Sequence, residues 1–138
     1  MERNKNLQSL INDRKIVLST LWVFILMNMI YADILNTLKP DYLHELEYVG
    51  KNVSDGNVLF FAILMEIPIA MILLSRILNR KANRIANFVA APLSILWVIV
   101  PSMVMSDSST PLSYVFFASI ETICMIFIMW YSWKWKTD

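Results

Sequence analysis

Residues 58–78 read VLFFAILMEIPIAMILLSRIL. Over that length the only polar side chains are Glu66, Ser75 and Arg76. A helix crossing the ~30 Å hydrocarbon layer of a bilayer needs about 20 mainly apolar residues. A surface helix of a soluble domain would instead show an apolar stripe and a polar face. The segment therefore reads as a transmembrane helix.

Working outward, three more runs of the same kind lie at about 16–35, 86–105 and 112–133. Four spans take roughly 80 residues of a 138-residue chain that is 57% hydrophobic, 17% charged and has 2 Gly. What remains makes loops and tails. The expected fold class is all-α, a four-transmembrane-helix bundle forming a single membrane domain over residues 1–138. No cleavable signal sequence is expected, because the first run is too long for a signal core and no small-x-small site follows it.

Basic residues set the orientation. Arg3, Lys5, Arg14 and Lys15 precede the first span; Arg76, Arg80, Lys81 and Arg84 flank the link between the second and third; Lys134 and Lys136 follow the fourth. The other two loops carry only Lys39 and Lys51. The positive-inside rule places the N-terminus, the middle link and the C-terminus in the cytoplasm. Trp130, Tyr131, Trp133 and Trp135 fit an aromatic belt at that interface. The expected location is a bacterial or archaeal plasma membrane.

Outside the spans the signals are local. Leu7, Leu10 and Ile11 have helical spacing, as either a surface helix or an extension of the first span. In the loop at 36–57, Pro40 suits a helix start and Gly50 a stop, with Tyr42, Leu43, Leu46 and Val49 on one face. A short amphipathic helix is expected there. Residues 106–111 read as a tight polar turn. Asn52-Val53-Ser54 matches a glycosylation sequon but stands close to the second span.

The residues that bear on function are ionisable groups inside spans. Asp at a helix centre costs about 2.5–3.5 kcal/mol on insertion scales, and such residues mark functional sites by default. Glu66 and Glu121 are the two clear cases; Asp33 lies nearer the outer interface. At ~1.5 Å per residue, Asn28, Glu66 and Glu121 lie roughly 10–14 Å from the outer ends of their helices. One polar cluster is the simplest arrangement, with Asn28 donating to a carboxylate and Tyr31, one turn on, joining from above. Two carboxyls in one dry layer do not both ionise, because desolvation and like charge favour the neutral form. At least one is expected to be protonated at neutral pH, and the site would bind a small molecule, a proton or a cation. The bland reading is that protonated Glu hydrogen-bonds a neighbouring helix and holds the bundle together. Pro68, Pro92 and Pro101 free the carbonyls of Leu64, Phe88 and Trp97, which supports a cavity near Glu66.

Other classes recede. A net charge of +1 gives no basic face for nucleic acid. Cys124 is the only cysteine, so no internal disulfide forms, and it reads as a small hydrophobe. The 9 methionines form no Cys/His/Met ligand cluster and read as adaptable packing; His44 reads as a surface residue. No metal and no cofactor is expected. Walker, GxGxxG, HExxH, CxxC and GxSxG signatures are absent, so an ATPase, a metalloprotease or a thiol oxidoreductase is not indicated. Arg76, Arg80, Lys81 and Arg84 first determine topology and secondarily could bind anionic lipid headgroups. Membrane lipids are the expected partners, with a homodimer if the chain transports a solute.

A string of residues carries a resemblance. Leu18-Ser19-Thr20-Leu21-Trp22, Asn28 with Tyr31-Ala32-Asp33-Ile34-Leu35, Met65-Glu66-Ile67-Pro68-Ile69-Ala70-Met71, Ala82-Asn83-Arg84 with Asn87, and Glu121 with Trp130-Tyr131-Ser132-Trp133 stand in order. Together they resemble an uncharacterised prokaryotic family of small four-helix membrane proteins, a domain of unknown function. That resemblance implies the architecture and no activity. A looser, architectural likeness is to the DoxX-like proteins and the sterol-isomerase group. Three hypotheses follow: a proton-, cation- or ligand-binding protein that could be a transporter; an enzyme using Glu66 and Glu121 as acid and base on a lipid; and a scaffold.

Overall fold

The computed structural model describes residues 2–38, 43–44, 47–48, 50–51, 54–104 and 112–135. Four helices carry the fold: α1 (Glu2–Thr37), α2 (Asp55–Ile77), α3 (Arg80–Val104) and α4 (Leu112–Trp133). Among the described residues there is no strand. All four helices are long and apolar enough to cross a membrane.

Helix ends follow capping chemistry rather than hydropathy. Ser54 caps α2, its hydroxyl accepting from the Asn57 amide. The amide of Ala82 donates to Asn79 Oδ1, so α3 begins at Arg80. Hydropathy placed this start at about residue 86. A capping Asn supplies the acceptor that the first turn lacks, and a polar first turn is no obstacle. The link between α2 and α3 is thus two residues, and Arg80, Lys81 and Arg84 are helical. At the other end of the chain, α1 extends back to Glu2 as one continuous helix. The short helix expected from Pro40 to Gly50 falls mostly outside the described residues; within it 43–44, 47–48 and 50–51 are helical, and Lys51 pairs with Glu47 at 2.7 Å. The turn expected at 106–111 lies outside them.

Around the bundle the order is α1, α2, α3, α4, with each helix packed on its chain neighbours and α4 closing on α1. α2 lies across from α4, and α1 from α3. Lys15 Nζ donates to the Arg76 carbonyl and Arg14 stands over the Tyr131 ring. The start of the α1 span, the α2–α3 link and the end of α4 therefore share one end, called here the basic end.

The inward faces keep a 3–4 spacing: Leu18, Trp22, Ile25, Met29, Ala32 and Asn36 on α1; Glu121, Met125, Ile128 and Ser132 on α4. What these faces bury is the informative point. Ser19, Ser75, Asn83, Asn87, Ser94, Glu121 and Ser132 are inside. Leu59, Phe60, Leu73, Ile123 and Ile126 are outside. A water-soluble bundle cannot carry such a continuous apolar exterior. In lipid the arrangement is natural, because helix association there rests on close packing and interhelical hydrogen bonds, with small and polar residues at the interfaces. Trp135, expected in the aromatic belt, instead joins the core, while Trp130 and Trp133 remain exposed.

Candidate functional site

Glu121 lies on the inward stripe of α4, one turn from Met125, and is only 4% exposed. It is nine residues from the start of α4, about 13 Å along the axis. Its Oε1 is buried with no hydrogen-bond partner. Buried polar atoms in proteins nearly always have a partner, and an exception calls for an explanation. Here the group is a carboxyl, the costliest kind to leave unsatisfied.

Asp33 stands on α1, which packs against α4. It is four residues from the end of α1, near the face opposite the basic end, and its side chain is exposed. Asn36, one turn further out, is buried with Oδ1 unpartnered. Ser94 on α3 has a buried hydroxyl, also unpartnered. Asn36, Glu121 and Ser94 thus put buried polar oxygens at successive depths in the half of the bundle away from the basic end, with the exposed Asp33 carboxyl toward the same end.

Glu66 does not join them. It is exposed, and α2 lies across the bundle from α4. The reason is rotational. The inward residues of α2 are Pro68, Met71 and Ser75; at 3.6 residues per turn Glu66 sits roughly 140–200° around the helix from them. The expected Glu66–Glu121 cluster is therefore corrected: one carboxyl points in and the other out. The Phe-Phe-Ala stretches that precede both acids hide a one-residue difference, Ala62 to Glu66 against Ala118 to Glu121. One residue is about 100° of helix rotation.

The two orienting residues also sit differently from expectation. Asn28 Nδ2 donates to the Phe24 carbonyl of its own helix at 2.9 Å, and Tyr31 is 54% exposed. Among the described residues neither hydrogen-bonds a carboxyl.

A polar network that charge-based reading missed fills the half nearer the basic end. Trp22 Nε1 donates to Asn87 Oδ1 at 2.7 Å, joining the diagonal helices α1 and α3 through the bundle centre. Asn87 Nδ2 donates to Asn83 Oδ1 at 2.6 Å and to the Asn83 carbonyl at 2.9 Å. Asn83 Nδ2 reaches the Ser75 carbonyl of α2 at 2.6 Å. Trp22, Asn83, Asn87 and Ser75 are fully buried. Beside them the Ser19 hydroxyl donates to the Ile72 carbonyl and accepts from Arg76 Nε. Arg76 is thus a structural tie. The signal for this network was in the sequence as Asn83-x3-Asn87-x3-Ala91-x2-Ser94, a small and polar stripe at inward spacing.

Between α3 and α4 at the basic end lies a groove of about 430 Å³, lined by Lys81, Arg84, Ile85, Phe88, Val89, Ser132 and Trp133.

The family model of DUF6326, a family of unknown function, matches residues 7–138. The chain belongs to that family. No curated protein and no solved structure matches it. The matched stretch contains all four spans, Glu121, Asp33 and the Trp22–Asn87–Asn83 network.

Proposed function

We propose that this DUF6326 protein is a multi-pass plasma-membrane protein whose interior carboxyl, Glu121, reversibly binds a proton or a small cation such as a protonated amine. The observation that carries the reading is the buried Glu121 Oε1 without a partner, inside a span. A carboxyl that served only to hold helices together would hydrogen-bond across them. That role is filled by Trp22, Asn87 and Asn83, and among the described residues Glu121 makes no such bond. What satisfies a lone carboxyl oxygen in a dry interior is a donor: a proton, water or an ammonium group.

Asn36 would give the site a route, with Asp33 at its mouth. Along their helix both lie nearer than Glu121 to the face opposite the basic end, where a proton or cation would arrive from water. By the distribution of basic residues that face is extracytoplasmic, with both chain ends in the cytoplasm. The alternative in which Glu66 and Glu121 serve as acid and base on a lipid needs both at one reacting site. Glu66 and Glu121 face different surroundings, which weighs against it. Transport is a further step that this reading permits, with a homodimer as the natural form for so small a chain.

The test is mass spectrometry of small molecules copurifying in native lipid discs, together with proton flux in liposomes, for wild type, Glu121→Gln and Glu66→Gln. A bound amine or a flux lost in Glu121→Gln and kept in Glu66→Gln supports the reading. Identical profiles and fluxes in all three, each folded, overturn it.

A further inference from the structure

We propose that the groove between α3 and α4 at the basic end is a binding site for an anionic membrane phospholipid. Lys81, Arg84 and Ser132 would hold the phosphate, and Ile85, Phe88, Val89 and Trp133 would flank the upper acyl chain.

Three independent observations converge on this groove. The first is electrostatic. Lys81 and Arg84 lie one turn apart in the opening turns of α3. Like charges at that spacing repel, and the positive end of the helix dipole adds to the repulsion. Among the described residues neither has a carboxylate within ion-pairing distance; the ion pair found is Lys51–Glu47, on the loop between α1 and α2. Two cations placed against a helix dipole are stabilised by an external anion.

The second is the wall of the groove. Ser132 is 1% exposed, lines the groove, and its Oγ is buried without a hydrogen-bond partner. A serine hydroxyl can donate one hydrogen bond to a phosphate oxygen. Serines in helices often bond back to the carbonyl four residues earlier, as Ser119 and Thr122 do here. Ser132 does not, which leaves its donor for a ligand.

The third is shape and position. The basic lining gives way to an apolar one along the groove, in which Phe88 and Trp133 meet at 5.7 Å between ring centroids. Trp133 stands at the end of its span, where tryptophan rings favour the headgroup level. About 430 Å³ is within the size range of small-molecule sites and takes a glycerophosphate head with the first part of a chain. A free phosphate would leave the apolar part unfilled. Arg76 is tied to Ser19 and Arg80 is not among the groove's lining residues, so within the basic cluster the ligand role narrows to Lys81 and Arg84. This inference is independent of the reading of Glu121.

The test is native mass spectrometry of protein released from vesicles of equal phosphatidylglycerol and phosphatidylcholine. Wild type should retain phosphatidylglycerol in preference. Lys81→Gln/Arg84→Gln should lower that retention tenfold or more, given roughly 1 kcal/mol per basic residue at an anionic surface. Ser132→Ala should lower it severalfold, and Val89→Trp, which fills the apolar part with the charges intact, should abolish it. Arg3→Gln/Lys5→Gln removes two charges at the start of α1 and should leave it unchanged. Equal retention of the two lipids by wild type overturns the proposal. So does retention by the groove variants at wild-type level. Displacement of phosphatidylglycerol by glycerol phosphate alone, with Val89→Trp unaffected, would mark a soluble-anion site and equally overturn it. If the double charge variant fails to fold, Ser132→Ala and Val89→Trp carry the decision.

Discussion

Replacing Asn87 by Leu should destabilise the bundle more than any single change at an exposed position. Asn87 accepts from the buried Trp22 indole at 2.7 Å and donates twice to Asn83. An interhelical hydrogen bond in a membrane protein contributes about 0.6 kcal/mol on average. The larger effect is what is left behind, because a buried donor without a partner costs about 1–3 kcal/mol. The sum is about 2–4 kcal/mol, or roughly 30- to 1,000-fold in the unfolding equilibrium. Trp22→Phe removes the donor from the other side. If the bond joins the two, Trp22→Phe/Asn87→Leu should cost less than the two single changes added, since removing both partners spares the unmet group. The coupling should be about 1–2 kcal/mol. The assay is reversible unfolding in bicelles by steric trapping, with helicity checked by circular dichroism. Additivity within about 0.5 kcal/mol would refute the claim that this hydrogen bond fixes α1 against α3.

Other outcomes follow from the same geometry. Glu121→Gln keeps the shape of the side chain and breaks no hydrogen bond among the described residues, so stability should change by less than about 1 kcal/mol, measured in the same bicelles. Ser54→Ala should weaken the start of α2 by about 0.5 kcal/mol, the low end for a lost cap, because the bond is 3.4 Å long and the Asn57 amide keeps its 2.9 Å bond to the Ser54 carbonyl; unfolding in the same bicelles measures it. Single cysteines at Ser108 and Ala82, in a Cys124→Ser background, should react with a membrane-impermeant maleimide from opposite sides, Ser108 from outside the cell. Labelling of both from one side would contradict the orientation inferred from the basic residues.

The spans were legible because a bilayer imposes a length and a composition that a hydropathy reading detects directly. Rotation of each helix was not. Glu66 and Glu121 look alike in sequence, yet a one-residue difference after the Phe-Phe-Ala stretch goes with opposite faces. Only the neighbours at inward spacing, Pro68, Met71 and Ser75 for one and Met125, Ile128 and Ser132 for the other, tell them apart. The Trp22–Asn87–Asn83 network was legible in principle as small and polar residues recurring every three or four positions. Ionisable groups carry the larger insertion cost and so stand out before such a stripe does. The α3 start does not show in hydropathy, since the apolar run begins one to two turns after the helix does. The groove could not have been read from the sequence. It depends on Ser132 and Trp133 of α4 standing beside Lys81 and Arg84 of α3, a register that packing alone sets.

If the Glu121 carboxyl exchanges a proton or a cation with water, infrared difference spectroscopy of the carboxyl region in lipid discs will see it. Wild type should show a carboxyl band, missing from Glu121→Gln, that changes when the pH is raised or an amine cation is added. A Glu121 band that responds to neither would leave the group a silent part of the helix packing and overturn its proposed role.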